Sequence, residues 1–272
     1  MQHKRTFPVI DSDIHPVFDG NRIAEFLPPL WRKRWESGNR GTGYPGYWNP
    51  GGVHRADAAL EDGRRIENFS DTLSKHYLDA EDIEFGILND NQGLSAGLHP
   101  DLDFGSAVIS AVNDVLVNDW LPKDPRFRGS LAVPPNDPVH AVKEIHRLGD
   151  HPGIVQVIMS TAAVQPYGHR MFHPIYEAAQ EHNLPVAVHP GGEGSGVTKS
   201  PTPAGFPSNY LEWHTILTGN AQAHAVSLLT SGVFAKYPKL RFVMIECGVL
   251  WAIPLMWRLN KNWKGLRQLT PW

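Results

Sequence analysis

Phe7-Pro8-Val9-Ile10-Asp11-Ser12-Asp13-Ile14-His15-Pro16 decides how this 272-residue chain is read. Its apolar, β-branched beginning has the character of a short buried strand. A nucleotide-binding open sheet would continue from such a strand into Gly-x-Gly-x-x-Gly at the head of a helix. Here the strand runs instead into alternating acids and a histidine. Strand alternation sends Asp13 and His15 to the same side, so the two side chains converge at the C-terminal end of the strand. Closed βα barrels build their active sites at that end.

Working outward, apolar runs at residues 7–10, 85–88, 129–133, 154–159, 185–188 and 240–245 predict six strands. Runs such as Val-Ala-Val and Arg-Phe-Val-Met-Ile are continuous rather than alternating, as expected of parallel strands buried on both faces. Residues 141–148 and 175–182 carry apolar side chains at helical spacing between strands. This βα rhythm predicts an α/β fold, a (β/α)8 TIM barrel, as one domain over residues 1–272. Six strands do not close an eight-stranded barrel, so the expectation is a barrel lacking its last two βα units. Long loops are expected at about 38–68 and 191–210, both leaving the C-terminal ends of strands. Tyr44, Tyr47 and Trp48 in the first of them could cover a substrate or pack the loop onto the rim.

Composition narrows the function classes. Hydrophobic residues make up 41% and charged residues 19%, ordinary for a globular protein. A net charge of −3 offers no basic surface for nucleic acid. The single cysteine, Cys247, excludes an intrachain disulfide and a multi-cysteine zinc cluster, and reads as a small buried hydrophobe. No apolar stretch approaches about 18 residues and no secretion signal is visible, so a cytoplasmic protein without a membrane span is expected.

Asp13 and His15 offer a carboxylate and an imidazole, a mixed set that suits zinc or manganese, although an isolated Asp-x-His also fits a buried hydrogen-bonded pair. Asp11 faces the same way, as a second layer behind a ligand or as a cap acceptor. His189 closes the fifth apolar run just before Pro-Gly-Gly, and a second histidine at a strand end strengthens the metal reading. Glu246 ends the sixth run, where ligand, acid/base and salt-bridge roles are all open. His214 and His224 fall on or near a helix leading to that run. His214 stands nearer the expected barrel mouth and is the better candidate for moving a proton.

Val-Ile-Asp-Ser-Asp-Ile-His-Pro, Pro-Val-Ala-Val-His-Pro-Gly and Phe-Ala-Lys-Tyr-Pro-Lys-Leu-Arg-Phe-Val-Met-Ile-Glu-Cys-Gly-Val-Leu-Trp together resemble the amidohydrolase-related branch of the amidohydrolase superfamily. That branch contains the aminocarboxymuconate-semialdehyde and dihydroxybenzoate decarboxylases as well as hydrolases. The resemblance implies a distorted TIM barrel of the metal-dependent hydrolase type, holding one divalent metal, zinc or manganese. It also implies a small carboxylated, cyclic or aromatic substrate and a homo-oligomer, a dimer. Asp13 and His15 match the first-strand ligand pair and His189 the fifth-strand ligand. Glu246 stands where decarboxylase relatives carry the histidine of a His-Gly-Gly motif, and with His214 it is a candidate catalytic group. The family also places a metal-binding aspartate at the end of its eighth strand, and this sequence has no such segment. The expected activity is therefore metal-dependent hydrolysis or decarboxylation, the alternative being a non-catalytic barrel protein that has lost the complete metal site.

Overall fold

A computed structural model of the chain describes residues 7–38, 58–194, 198 and 200–272. Tyr44, Tyr47 and Trp48, with much of the loop expected at 38–68 and part of that at 191–210, lie outside the described residues. Six strands form one sheet in sequential order: β1 (Ile10–Ile14), β2 (Phe85–Leu88), β3 (Phe127–Ala132), β4 (Ile154–Ser160), β5 (Val186–His189) and β6 (Phe242–Met244). Each neighbouring pair is parallel. Sequential order with parallel pairing requires a crossover between successive strands, and helices supply most of it. Those used below are α1 (Leu102–Val115), α2 (Pro138–Leu148), α3 (His173–Glu181), α4 (Tyr210–Ile216), α5 (Thr218–Thr230) and α6 (Ala252–Gly265).

Local chemistry sets where these helices begin. Asp101 accepts from the Phe104 N–H ahead of α1, Asp137 from the His140 N–H ahead of α2, and Asn209 from the Glu212 N–H ahead of α4. Each side-chain cap satisfies a donor that the first helical turn leaves free, worth about 1 kcal/mol. The strands are the buried kind. All four residues of β5 are buried, and Leu131, Val157, Met159, Val186 and Val188 have no accessible surface. Full burial of such a side chain contributes roughly 1.5–3 kcal/mol.

The first strand corrects the sequence reading. Pairing starts at Ile10 opposite Phe85 and runs to Ile14, so β1 contains Asp11 and Asp13, and His15 lies just beyond it. Phe7 and Ile10 are 67% and 60% exposed, so the apolar stretch that suggested an earlier strand is not buried. At the other end, β6 covers Phe242–Met244 and Glu246 stands two residues past it rather than on it.

The sheet is curled. In a flat sheet β1 and β5 would be about 19 Å apart, four strand spacings of about 4.8 Å. Instead the Asp13 carboxylate on β1 lies 3.4 Å from the His189 imidazole on β5. A polar ladder crosses the same interior. Gln156 Nε2 donates to Ser130 Oγ at 2.7 Å, and Ser130 Oγ donates to Asn89 Oδ1 at 2.5 Å. Asn89 Nδ2 then donates to Asp13 Oδ1 at 3.0 Å. Asn89, Ser130 and Gln156 are all buried, and each finds partners in the ladder, which is what makes a polar line through the inside of the curled sheet tolerable.

Leu131→Ala, near the C-terminal end of β3 and fully buried, is expected to lower unfolding free energy by about 2–5 kcal/mol. Val139→Ala, at a site 67% exposed on α2, should change it by no more than about 0.5 kcal/mol. Urea denaturation of the two variants checks this, and equal midpoints would show that β3 is not the centre of the core.

Candidate metal centre

Asp13, His15, His189 and Glu246 each present one donor atom to a common point, and these atoms lie within 4.8 Å of one another. His15 Nε2 is 3.3 Å from Asp13 Oδ1, His189 Nε2 is 3.4 Å from the same oxygen, and Glu246 Oε2 is 3.1 Å from His189 Nε2. The three sequence candidates for metal ligands are thus brought together, and Glu246 joins them. The two imidazoles meet edge to face, with ring centroids 4.7 Å apart.

Backbone carbonyls fix both imidazole tautomers. His15 Nδ1 lies 2.9 Å from Asn89 O and His189 Nδ1 lies 2.5 Å from Pro190 O. A carbonyl only accepts, so each Nδ1 carries hydrogen, and the Nε2 of a neutral ring turns its lone pair toward the centre. Asn89 therefore acts twice, donating to the Asp13 carboxylate and accepting from His15. Sequence reasoning missed it, although it follows the apolar run 85–88 as His189 follows 185–188. Asp11 accepts from the Asp13 N–H at 2.9 Å and from the Tyr77 hydroxyl, and so braces the backbone beneath Asp13.

Glu246 adopts φ +53, the left-handed region, and its second oxygen, Oε1, lies 3.1 Å from His214 Nε2 on α4. His214 stacks against Tyr210, with centroids 5.1 Å apart and planes 31° apart. His224, on α5, is a different case: it is buried, accepts from the Tyr167 N–H through Nδ1 and donates to Thr161 O at 2.8 Å through Nε2. Both its nitrogens are used structurally. Cys247 is 1% exposed, donates to Ile245 O, and burial pushes its thiol up to about 12, which removes it as a nucleophile at neutral pH.

The electrostatics of the cluster ask for a cation. Burial alone would push His189 down, but the Asp13 and Glu246 carboxylates reverse this and raise it to about 9. Burial pushes Asp13 up, and the close approach and charge of His189, with the charge of His15, bring it below the ordinary carboxylate range. His189 chiefly lowers Glu246 as well. Although His189 Nε2 sits at ion-pair distance from both carboxylates, it is buried without an aligned hydrogen-bond partner. Donors about 2.1 Å from a tetrahedral ion are about 3.4 Å apart, close to the spacings found here. Two imidazole nitrogens and two carboxylates at such spacings fit a divalent zinc or manganese ion.

A curled parallel sheet with nitrogen and oxygen donors gathered at its C-terminal strand ends defines an α/β protein of the barrel type with a metal-competent rim. The amidohydrolase family model matches residues 10–271, and the chain belongs to the amidohydrolase family. The gamma-resorcylate decarboxylase of Polaromonas sp. (strain JS666 / ATCC BAA-500) is 28% identical over 163 residues, 54% of this chain and 46% of that protein. The gamma-resorcylate decarboxylase of Rhizobium sp. (strain MTP-10005) is 25% identical over 211 residues, 72% of this chain and 60% of that protein. The chain thus spans about half the length of these curated relatives. An amidohydrolase from Mycobacterium avium subsp. paratuberculosis K-10 shares the fold with a TM-score of 0.73 at 19% identity, over 99% of this chain and 79% of that one. The 5-carboxyvanillate decarboxylase of Novosphingobium aromaticivorans DSM 12444, complexed with manganese and 4-hydroxy-3-methoxy-5-nitrobenzoic acid, superposes with a TM-score of 0.66 at 22% identity, over 97% of this chain and 72% of that one.

The sign of the pH effect in the metal-free protein follows from His189. Its pKa is raised to about 9 from the ordinary 6.5, so its ion pairs contribute stability fully below about pH 6.5 and lose it as pH rises through about 9. Chelator-treated protein should therefore melt at a lower temperature at pH 9.5 than at pH 6.5, and His189→Asn should flatten that dependence. Identical pH profiles for the two proteins would show that the ion pairs do not form.

Proposed function

We propose that this chain is a divalent-metal-dependent enzyme acting on a small aromatic carboxylate, with decarboxylation ahead of hydrolysis as its reaction. The observation that carries this reading is the convergence of Asp13, His15, His189 and Glu246 on one point, around a buried imidazole nitrogen without an aligned partner. The names of the curated relatives, gamma-resorcylate decarboxylases, favour decarboxylation. The manganese in the 5-carboxyvanillate decarboxylase structure favours manganese, with zinc as the other candidate. We read the curled sheet as six strands of a (β/α)8 barrel in a single domain, and the protein as a cytoplasmic homodimer, for which light scattering is the check. Among the described residues no helix is long and apolar enough to cross a membrane.

In this reading Asp13, His15 and His189 hold the ion, which when bound supplies Lewis-acid charge for anchoring and polarising a carboxylated substrate. Glu246, lowered chiefly by His189, stays ionised at neutral pH and presents Oε1 as an acceptor to His214 Nε2 at 3.1 Å. In its imidazolium form His214 is the proton donor, giving up one ring proton and becoming neutral, while Glu246 orients it and Tyr210 fixes the plane of the ring. In decarboxylation the proton goes to the ring carbon that carries the carboxylate. The carbon–carbon bond breaks, its electron pair restores the aromatic ring, and carbon dioxide leaves. His214, 44% exposed, recovers a proton from solvent.

His15→Ala should lose both bound metal and activity, and full metal occupancy of that variant by elemental analysis would overturn the ligand set. His214→Ala should keep the metal and lower kcat by about 10²–10⁴-fold on 2,6-dihydroxybenzoate, followed by the release of resorcinol. The rival reading is a non-catalytic barrel protein that has lost the complete metal site. It would gain support if protein purified without chelators held no stoichiometric divalent ion and took up none on addition.

A further inference from the structure

Glu193 lies in the Pro190-Gly191-Gly192-Glu193-Gly194 turn that leaves β5, and it is 2% exposed. A carboxyl group withdrawn that far from water costs several kcal/mol unless its oxygens are hydrogen-bonded. Both oxygens are engaged. Oε2 accepts from the Gly191 N–H at 2.8 Å, and Oε1 pairs with the Thr161 hydroxyl just past the end of β4. A second tie runs in parallel, since the Ser160 hydroxyl donates to Gly191 O and accepts from the Ala162 N–H at 2.9 Å. Between these ties sits the carbonyl of Pro190, the acceptor that fixes His189 as its Nδ1–H tautomer. The Thr161 N–H donates to His189 O at 2.9 Å, so both the backbone and the ring of His189 are referred to one clamped corner.

From this geometry we infer that Glu193 is a positioning residue for His189, holding the 190–193 turn so that Pro190 O keeps the imidazole lone pair aimed into the cluster. The inference rests on the metal reading above and adds a residue that is not among the four at the donor point. Gly191, at φ +152, and Gly192, at φ +78, give the turn a backbone path that ordinary side chains disfavour, so a brace from outside the backbone is needed to hold it. Burial also pushes the Glu193 carboxyl up, toward its neutral form, in which one oxygen accepts and the other can donate. Glutamine reproduces that arrangement: its oxygen accepts from Gly191 and its amide donates to the Thr161 hydroxyl.

The test uses the full chain, Mn²⁺ titrated calorimetrically, and the tautomer of His189 read from imidazole ¹⁵N shifts in the metal-free state at a pH above the His189 value of about 9, where the ring is neutral. Glu193→Ala should weaken Mn²⁺ binding by about 10-fold or more, the scale of losses behind metal ligands, and should shift His189 away from pure Nδ1–H. Glu193→Gln should stay within about 3-fold of the parent on the same scale and keep the tautomer. Parent-like Mn²⁺ affinity with an unchanged tautomer in Glu193→Ala overturns the inference. So does a loss in Glu193→Gln as deep as that in Glu193→Ala. Should the alanine variant fail to fold, Thr161→Val removes one of the two braces, and an unchanged affinity and tautomer there count against the clamp. If the parent binds no Mn²⁺, the metal reading fails and the ¹⁵N signature alone decides the role of Glu193.

Discussion

Four acceptor groups aimed at one point repel one another unless something positive sits among them, and this repulsion organises the molecule. Two carboxylates and two imidazole lone pairs, held within 4.8 Å of one another, are stable together only around a proton or a metal ion. The rest of the structure supplies what that arrangement requires. Curling of the sheet carries β1 to β5, carbonyls of Asn89 and Pro190 dictate which nitrogen of each ring faces inward, and the ladder from Gln156 to Asp13 keeps the carboxylate from turning away. Neighbouring strands each contribute a part, so the site depends on the whole sheet rather than on any one loop.

Such a centre lies at the C-terminal ends of the strands for reasons of backbone chemistry as well as topology. Where a strand stops, its last carbonyls and N–H groups lose ladder partners and become available to side chains. Asn89 and Pro190 lend carbonyls to histidines in this way, and Gly191 lends its N–H to Glu193. Deeper in the sheet these groups would already be spoken for.

Much of this could be read from the chain alone, because Asp13, His15 and His189 each close or follow an apolar run, and hydrophobic runs report buried strands directly. The first run misled by three residues. Its apolar members at 7–10 are largely exposed, whereas the alternating Ile-Asp-Ser-Asp-Ile is the strand. Asn89 stands in an equally informative place, after Phe-Gly-Ile-Leu, but an asparagine there also reads as an ordinary turn or cap residue. Glu193 left no trace, because its burial arises when a glycine-rich turn folds back on the end of β4, a long-range event that local pattern does not encode. The pairing of Glu246 with His214 depends likewise on where α4 settles, 32 residues away in sequence. The meeting of β1 with β5 is invisible in periodicity, which says that strands exist and not how far their sheet bends.

Glu246 carries a cost of a different kind. A glutamate at φ +53 occupies backbone space in which glycine and asparagine sit comfortably, and the penalty is on the order of 1 kcal/mol. The sequence around it could have been relaxed by a smaller residue without disturbing the apolar core. Under selection for thermal endurance alone, this position would drift toward glycine or asparagine, and the drift would erase the link between the cluster and His214. The conformation of one residue thus sets ease of folding against the geometry of the cluster, and a search for hardier variants of this protein would meet that conflict at Glu246.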